Sequence, residues 1–214
     1  MLIGMDKIKI CAWSGILLLA LAPLLFIFSV FYLPLSLLLL IIFIACLIIF
    51  HLGFSFVGKK YKINPLKIIP IIFIAIFILA IICAFLFLAA NAGKDNSLFG
   101  FPNFGLIAVF FGIGFIFVLI YYVYNLLISI FILRIKSVKI AKLTGIVGII
   151  SSSLAIIASV LILFSLFSLD IQSLMRYAGI IAWPINLLAI ADSIIKIVFM
   201  FYAANDKASV SLRK

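Results

Sequence analysis

Long apolar stretches separated by short polar segments dominate the pattern along this chain. A helix needs about 20 apolar residues to cross a hydrocarbon core of about 30 Å. Six stretches reach that length, at residues 11–32, 35–57, 68–90, 104–133, 143–169 and 177–202. No segment alternates apolar and polar residues as the strands of a membrane barrel do. The pattern predicts an all-α fold, a polytopic transmembrane helix bundle of six spans that forms one membrane domain over residues 1–214.

Prolines and glycines mark the predicted boundaries of these spans. Pro34 predicts a tight hairpin between the first two spans, and Asn64-Pro65 predicts a turn before the third. The fourth stretch is longer than a hydrocarbon core requires, so we expect tilt or a bend at Gly112 and Gly114.

Charge then gives the predicted orientation. The chain has 16 Lys and Arg against 5 Asp and Glu, a net charge of +11. Basic residues collect in the leader, in the connections after the second and fourth spans, and in the tail. Because successive spans cross the membrane in opposite directions, all of these segments lie on the same side. The positive-inside rule therefore predicts that the N-terminus and the C-terminus are both cytoplasmic, which a reporter fused after Lys214 tests.

Composition excludes several function classes. With 69% hydrophobic and 10% charged residues, the chain cannot build a soluble surface, and no connection is long enough for a nucleic-acid-binding domain. The chain contains one His and no Glu, and its three Cys form no metal-binding spacing, so we expect neither an enzyme, a metal site nor a cofactor. The basic connections predict contact with anionic lipids, at Lys59, Lys60, Arg134, Lys136 and Lys139.

The sixth span carries the polar residues that most need an explanation. Asp192 and Lys196 lie four residues apart, the favourable order for an ion pair on one helical face, and Asn186 and Ser193 extend the polar stripe. If the span covers residues 177–202, the pair lies near mid-membrane, where ionisable groups usually face a bundle interior or an ion path. The competing placement starts the helix at Ile171, puts the pair at the cytoplasmic interface and lays residues 194–202 along the surface.

Two further polar residues lie at comparable depth. His51 stands near the end of the second span, and Asn125 shares a face of the fourth span with Tyr121 and Tyr124. We expect these groups to meet Asp192 or Lys196 inside the bundle. A single His in a span is more often structural than a proton relay.

Small residues recur at four-residue spacing in the fifth span. One ridge includes Gly148 and Ser152 and a second includes Ala155, while Gly112 offers a notch on the fourth span. Such ridges let helix backbones approach closely in a membrane, so we expect a central fifth helix. A homo-oligomer interface is the alternative.

The Ile-, Leu- and Phe-rich spans, the short basic leader and lysine-rich connections such as GKKYKINPLK resemble multi-pass membrane protein families of archaea and bacteria. The resemblance implies a multi-pass protein of a prokaryotic plasma membrane and assigns no functional residue. We expect a scaffold or accessory subunit of a membrane complex, with a protein partner or a second copy. The alternative is a small transporter or channel-like protein with a polar intramembrane site on the last span.

Overall fold

The computed structural model describes residues 2–31, 33–91, 104–167 and 171–206, with side chains over 7–25, 27–28, 35–86, 115–162 and 183–206. These residues form helices and short connections, with no strand among them. The six helices are α1 (Leu2–Phe31), α2 (Leu33–Lys60), α3 (Asn64–Asn91), α4 (Phe104–Ile132), α5 (Lys139–Phe167) and α6 (Ile171–Asn205). Each is long and apolar enough to span a membrane, so the predicted all-α membrane bundle is confirmed.

Several helices extend beyond the apolar stretches that predicted them. α1 includes the basic leader, and α3 and α5 begin at Asn64 and Lys139, four residues earlier than expected. Asn64 and Pro65 begin a helix instead of forming a separate turn, because proline has no amide hydrogen to lose in a first turn. Hydropathy marks the part of a helix that lipid surrounds, whereas the helix itself continues into the polar interface.

The helices are arranged as a closed ring. Each packs against the next in the chain, α6 packs against α1, and α2 also reaches α6. The start of α1, the connections that follow α2 and α4, and the end of α6 lie at one end of the ring. Two contacts show this: Lys7 lies over the Phe56 ring, and Ser137 bonds to Asp206, just after α6. Most of the described lysines lie at this end, which we call the basic end. Its orientation towards the cytoplasm stays a prediction.

The end of α6 is fastened to two connections at the basic end. The Lys60 ammonium donates hydrogen bonds to the carbonyl oxygens of Ala203 and Asp206 at 2.5 and 2.7 Å, and a longer one to Ala204. The Asp206 carboxylate accepts hydrogen bonds from Tyr61 and Ser137, both at 2.9 Å. A cation on the last carbonyls of a helix stabilises its negative end. We call Lys60, Tyr61, Ser137 and Asp206 the end clasp.

Burial also affects the tyrosine of the end clasp. Partial burial and the hydrogen bond to Asp206 raise the pKa of the Tyr61 phenol well above its usual value. The neutral phenol is the form that donates this bond. Its contribution to stability is therefore complete below the pH at which an unfolded tyrosine ionises, declines as the pH rises beyond that point, and is gone once the buried phenol ionises as well.

The connection after α2 is packed tightly against the start of α3. A Cβ at Gly58 would lie 2.5 Å from the Lys67 amide nitrogen, and the Ser55 hydroxyl donates to the Lys67 carbonyl at 2.8 Å. Lys62 adopts a φ of 57°, which turns the chain back within three residues. The two helices therefore form a rigid hairpin at the basic end.

The last third of α6 lies inside the bundle. Phe199, Met200, Ala203 and Ala204 have no exposed surface and belong to the main apolar core. The helix does begin at Ile171, as the competing placement required, but it continues unbroken to Asn205. The part of that placement that lays residues 194–202 along the membrane surface is therefore wrong.

Candidate functional site

An ion pair buried between helices lies at the centre of the candidate site. Lys196 Nζ is 2.6 Å from Asp192 Oδ2, and the two residues expose 2% and 1% of their surfaces. The four-residue spacing puts both side chains on one face of α6, which faces the interior of the ring. Buried charges are costly without a partner, so each of these residues depends on the other.

A neighbouring helix completes this pair. Asn125 on α4 donates from Nδ2 to Asp192 Oδ2 at 3.1 Å, and its Oδ1 accepts from Lys196 Nζ at 2.7 Å. One amide therefore satisfies both charges and ties α4 to α6. The Ser129 hydroxyl, one turn further along α4, donates to the Asn125 carbonyl at 2.7 Å. We call Asn125, Asp192 and Lys196 the triad.

The two charged residues of the triad lie well inside the last apolar span. Lys196 precedes the end of α6 by nine residues and Asp192 by thirteen, or about 14 and 20 Å at a rise of about 1.5 Å per residue. Both residues belong to the stretch from Trp183 to Asn205, which is long and apolar enough to cross a membrane. Ionisable residues within such a span are a functional-site hypothesis by default.

The fifth helix approaches the triad through a glycine. A Cβ at Gly148 would lie 2.9 Å from Asp192 Oδ1 and closer still to the Ser129 hydroxyl oxygen. Only a residue without a side chain fits where α4, α5 and α6 converge. Asp192 Oδ1 faces this point and has no hydrogen-bond partner in the described part of the chain.

His51 lies beside the triad in an aromatic surrounding. Its Nδ1 and the Tyr124 hydroxyl are hydrogen bonded at 2.8 Å, and Tyr124 adjoins Asn125 in the chain. The rings of Phe50, Phe73 and Tyr124 lie 5.0–5.4 Å from the imidazole. The histidine is therefore a hydrogen-bonded link between α2 and α4, next to the triad through Tyr124 and Asn125.

The remaining predicted site residues lie elsewhere. Asn186 is exposed, six residues before Asp192 and close to the exposed Trp183, and Ser193 donates to the Ala189 carbonyl of its own helix at 2.8 Å. Ser152 and Ala155 are buried on α5. The position of Gly112 is helical, but its surroundings lie outside the described side chains. Of the six predicted site residues, three form the triad and a fourth, His51, adjoins it.

Two contributors to the site were not among the predicted site residues. Ser129 supports Asn125 from the next turn, and its four-residue spacing from Asn125 was a signal available in the sequence. Tyr124 was recognised only as sharing a face with Asn125. Gly148 and Ser152 were predicted for helix packing, and the structure also places Gly148 against the carboxylate of Asp192.

The lysines at the basic end have two different environments. Lys60 donates to the carbonyl oxygens of Ala203, Ala204 and Asp206 at the end of α6, and its expected contact with anionic lipids stays a prediction. Lys7 and Lys59 instead lie 5.8 and 5.4 Å from the centre of one Phe56 ring, with both side chains exposed. Arg134, Lys136 and Lys139 are exposed as well.

The site offers proton and hydrogen-bond chemistry. It contains a carboxylate, an ammonium group, an amide and hydroxyls, all sealed from solvent. Within the described residues, no group of three His, Cys, Asp or Glu side chains lies close enough to hold a metal ion. Carboxylates and imidazoles are the groups that intramembrane proton relays use, and Asp192 contributes the carboxylate here.

Comparisons of this chain with known protein families, with curated proteins and with solved structures reveal no match, so the candidate site rests on its own geometry.

Proposed function

We propose that this integral membrane protein is a small transporter or channel-like protein that moves protons across the bilayer through Asp192 and Lys196. The observation that carries the proposal is the complete burial of this ion pair between helices that are long and apolar enough to span a membrane. Apolar side chains would pack α4, α5 and α6 together at lower cost, since replacing a buried ion pair by hydrophobic residues is often neutral or stabilising. An ion pair at this depth therefore indicates a use other than packing.

The surroundings of the pair support proton transfer. Asp192 Oδ2 is held by Lys196 and Asn125, whereas Oδ1 is left without a partner at the contact between α5 and α6. One oxygen is thus fixed and the other is available. Both residues are shut off from both ends, so this conformation is an occluded state, and transport requires the helices around Gly148 to separate.

Proton flux measures this activity directly. Purified protein in liposomes loaded with a pH-sensitive dye is expected to acidify the interior under an imposed membrane potential or an alkali-cation gradient. Asp192→Asn removes the charge and keeps the shape of the side chain, so we expect at least a tenfold loss of rate. Asn186→Ala, which removes an exposed amide from the same helix, is expected to keep the wild-type rate.

Either of two results contradicts the proposal. The first is a wild-type protein that carries no protons under any of these gradients. The second is an Asp192→Asn variant that is folded and fully active, because the carboxylate would then have no part in transport.

A second candidate function is a scaffold or accessory subunit of a membrane complex, which the position of α3 favours. Its buried residues are Leu66, Pro70, Phe73 and Ile74, one narrow stripe, while the rest of its described surface is largely exposed. A helix so weakly covered by its own bundle has room for another subunit.

Extraction in mild detergent followed by native mass measurement tests this candidate. A scaffold is expected to keep a stoichiometric protein partner, and Leu79→Trp on the exposed face of α3 is expected to release it. The buried stripe of α3 provides the control, because a conservative Ile74→Val change leaves the outer face intact. A monomer or homodimer without partner proteins would contradict an accessory role.

We further infer that anionic lipid headgroups contact the exposed basic residues of the basic end, and that this end faces the cytoplasm. Lys59, Arg134, Lys136 and Lys139 carry this proposal, joined by Lys7. Each basic residue near an anionic surface contributes about 1 kcal/mol of attraction. Enzymatic activity and nucleic-acid binding form no part of the proposed function.

A further inference from the structure

Two buried polar atoms in the described part of the chain have no hydrogen-bond partner, and both belong to the contact between α5 and α6. They are Asp192 Oδ1 and Ser152 Oγ, in residues that expose 1% and 0% of their surfaces. A buried polar atom left unpaired costs about 1–3 kcal/mol. Two such atoms at one helix contact indicate a shared ligand.

The direction of the helices brings these two atoms towards each other. Ser137, just before α5, bonds to Asp206, just after α6, so the two helices run antiparallel. Gly148 lies against Asp192, and Ser152 is one turn further from the basic end on the same face of α5. Because every Cα–Cβ bond tilts towards the N-terminus of its own helix, Ser152 leans towards the basic end and Asp192 leans away from it. The two side chains therefore converge.

The hydroxyl of Ser152 differs from other hydroxyls in these helices. Ser129, Thr144 and Ser193 each donate to the carbonyl four residues earlier in their own helix, at 2.7–2.8 Å. That bond gives the hydroxyl a hydrogen-bond acceptor within its own helix, so no partner from another helix is needed. Ser152 does not make it, so its hydroxyl is free to serve a ligand between the helices.

The chemistry of this point fits a water molecule. A buried water typically makes about three hydrogen bonds to polar groups that lack other partners. Asp192 Oδ1 can accept two hydrogen bonds, Ser152 Oγ can donate and accept, and the Ser129 oxygen beside Gly148 can accept.

We propose that Asp192 Oδ1 and Ser152 Oγ bind a water molecule beside Gly148, and that this water delivers protons to Asp192. The second half rests on the proposed function. In the transfer step, an O–H bond of a hydronium ion at this position breaks, a new O–H bond forms on Asp192 Oδ1, and a neutral water is left on Ser152. Lys196 from α6 and Asn125 from α4 bond to the other oxygen of this carboxylate, while α5 presents Gly148 and Ser152.

Thiol oxidation tests the water site without any transport assay. In a background with Cys11, Cys46 and Cys83 replaced by Ala, Ser152→Cys is expected to react in intact membranes with hydrogen peroxide, a reagent close to water in size. The reagent needs an ionised thiol, and a thiol ionises only where water reaches it. Ile150→Cys, on the lipid-facing side of α5 at nearly the same depth, is the matched control and is expected to react at least tenfold more slowly. Equal, slow reaction of both variants would overturn the water site.

Proton flux tests the second half of the proposal in the protein with its native cysteines. Ser152→Ala is expected to lower the flux about tenfold, while Ser14→Ala, which removes a buried hydroxyl bonded within α1, keeps it. If Asp192→Asn abolishes flux but Ser152→Ala does not lower it, delivery through this water is overturned and the proposed function stands. If wild-type protein carries no protons but Ser152→Cys is oxidised faster than Ile150→Cys, the proposed function fails and the water site stands.

Discussion

Replacement of Lys196 by Met is expected to lower the free energy of unfolding by about 3–5 kcal/mol, because it leaves the carboxylate of Asp192 buried without its counter-ion. The lysine exposes 2% of its surface and makes two of the three polar contacts of the triad. The apolar side chains around the triad cannot replace those contacts. Reaction of the buried thiols of Cys11 and Cys46 with a fluorogenic reagent during heating measures the loss in detergent.

The double variant Asp192→Asn/Lys196→Met separates stability from transport. With both charges removed, the Asn at position 192 can still bond to Asn125, and most of the lost stability is expected to return. Proton flux is expected to stay absent. If the double variant is as unstable as Lys196→Met alone, the cost lies in lost packing and not in the unpaired charge. If it is stable and transports at the wild-type rate, the triad has no part in proton movement.

Replacement of Gly148 by Val is expected to prevent assembly of the bundle, and Gly148→Ala to destabilise it strongly. A single added carbon already meets Asp192 Oδ1 at 2.9 Å and presses on Ser129, and valine adds two more. The atoms it meets are short polar side chains held by hydrogen bonds, so they cannot move aside without breaking the triad. Overpacking of a close-packed interior typically costs about 1–3 kcal/mol, and a broken polar network adds to that.

Size-exclusion profiles and thermal unfolding in detergent measure the effect at Gly148. Ala75→Val adds bulk on the exposed face of α3 and is the matched control, with little expected change. A Gly148→Val variant that is monodisperse and as stable as the wild type would show that α5 does not approach the triad as closely as described.

The general fold follows from the sequence because lipid imposes a simple rule. Every backbone polar group must be satisfied within its own segment, so long apolar stretches become helices. The six spans were predictable for this reason. Helix ends were less so, since α3 and α5 start four residues early in polar segments where hydropathy carries no signal. The side of α6 that faces inwards could be inferred from Asp192 and Lys196, because charges avoid lipid.

The contacts between helices could not be predicted from the sequence and were revealed only by the structure. The sequence placed Asn125 and His51 at depths similar to Lys196, but depth alone could not show that Asn125 bonds to the ion pair while His51 is enclosed by aromatic rings. The contacts of individual lysines were even harder to predict from the sequence. Lys59 and Lys60 are adjacent and identical in chemistry, yet one lies over Phe56 and the other caps α6, which depends on the rotation of α2.

The end clasp and the triad both depend on α6, and this dependence sets the order of events during biogenesis. Until the last helix has been synthesised, the ring is open between α5 and α1, and Asn125 on α4 has no charged partner. A five-helix intermediate would expose this amide and the hydroxyls of Ser129 and Ser152 to lipid. We therefore expect the nascent chain to stay beside the insertion machinery until its final segment arrives. On this expectation, closure of the ring and pairing of Asn125 with the buried charges occur together.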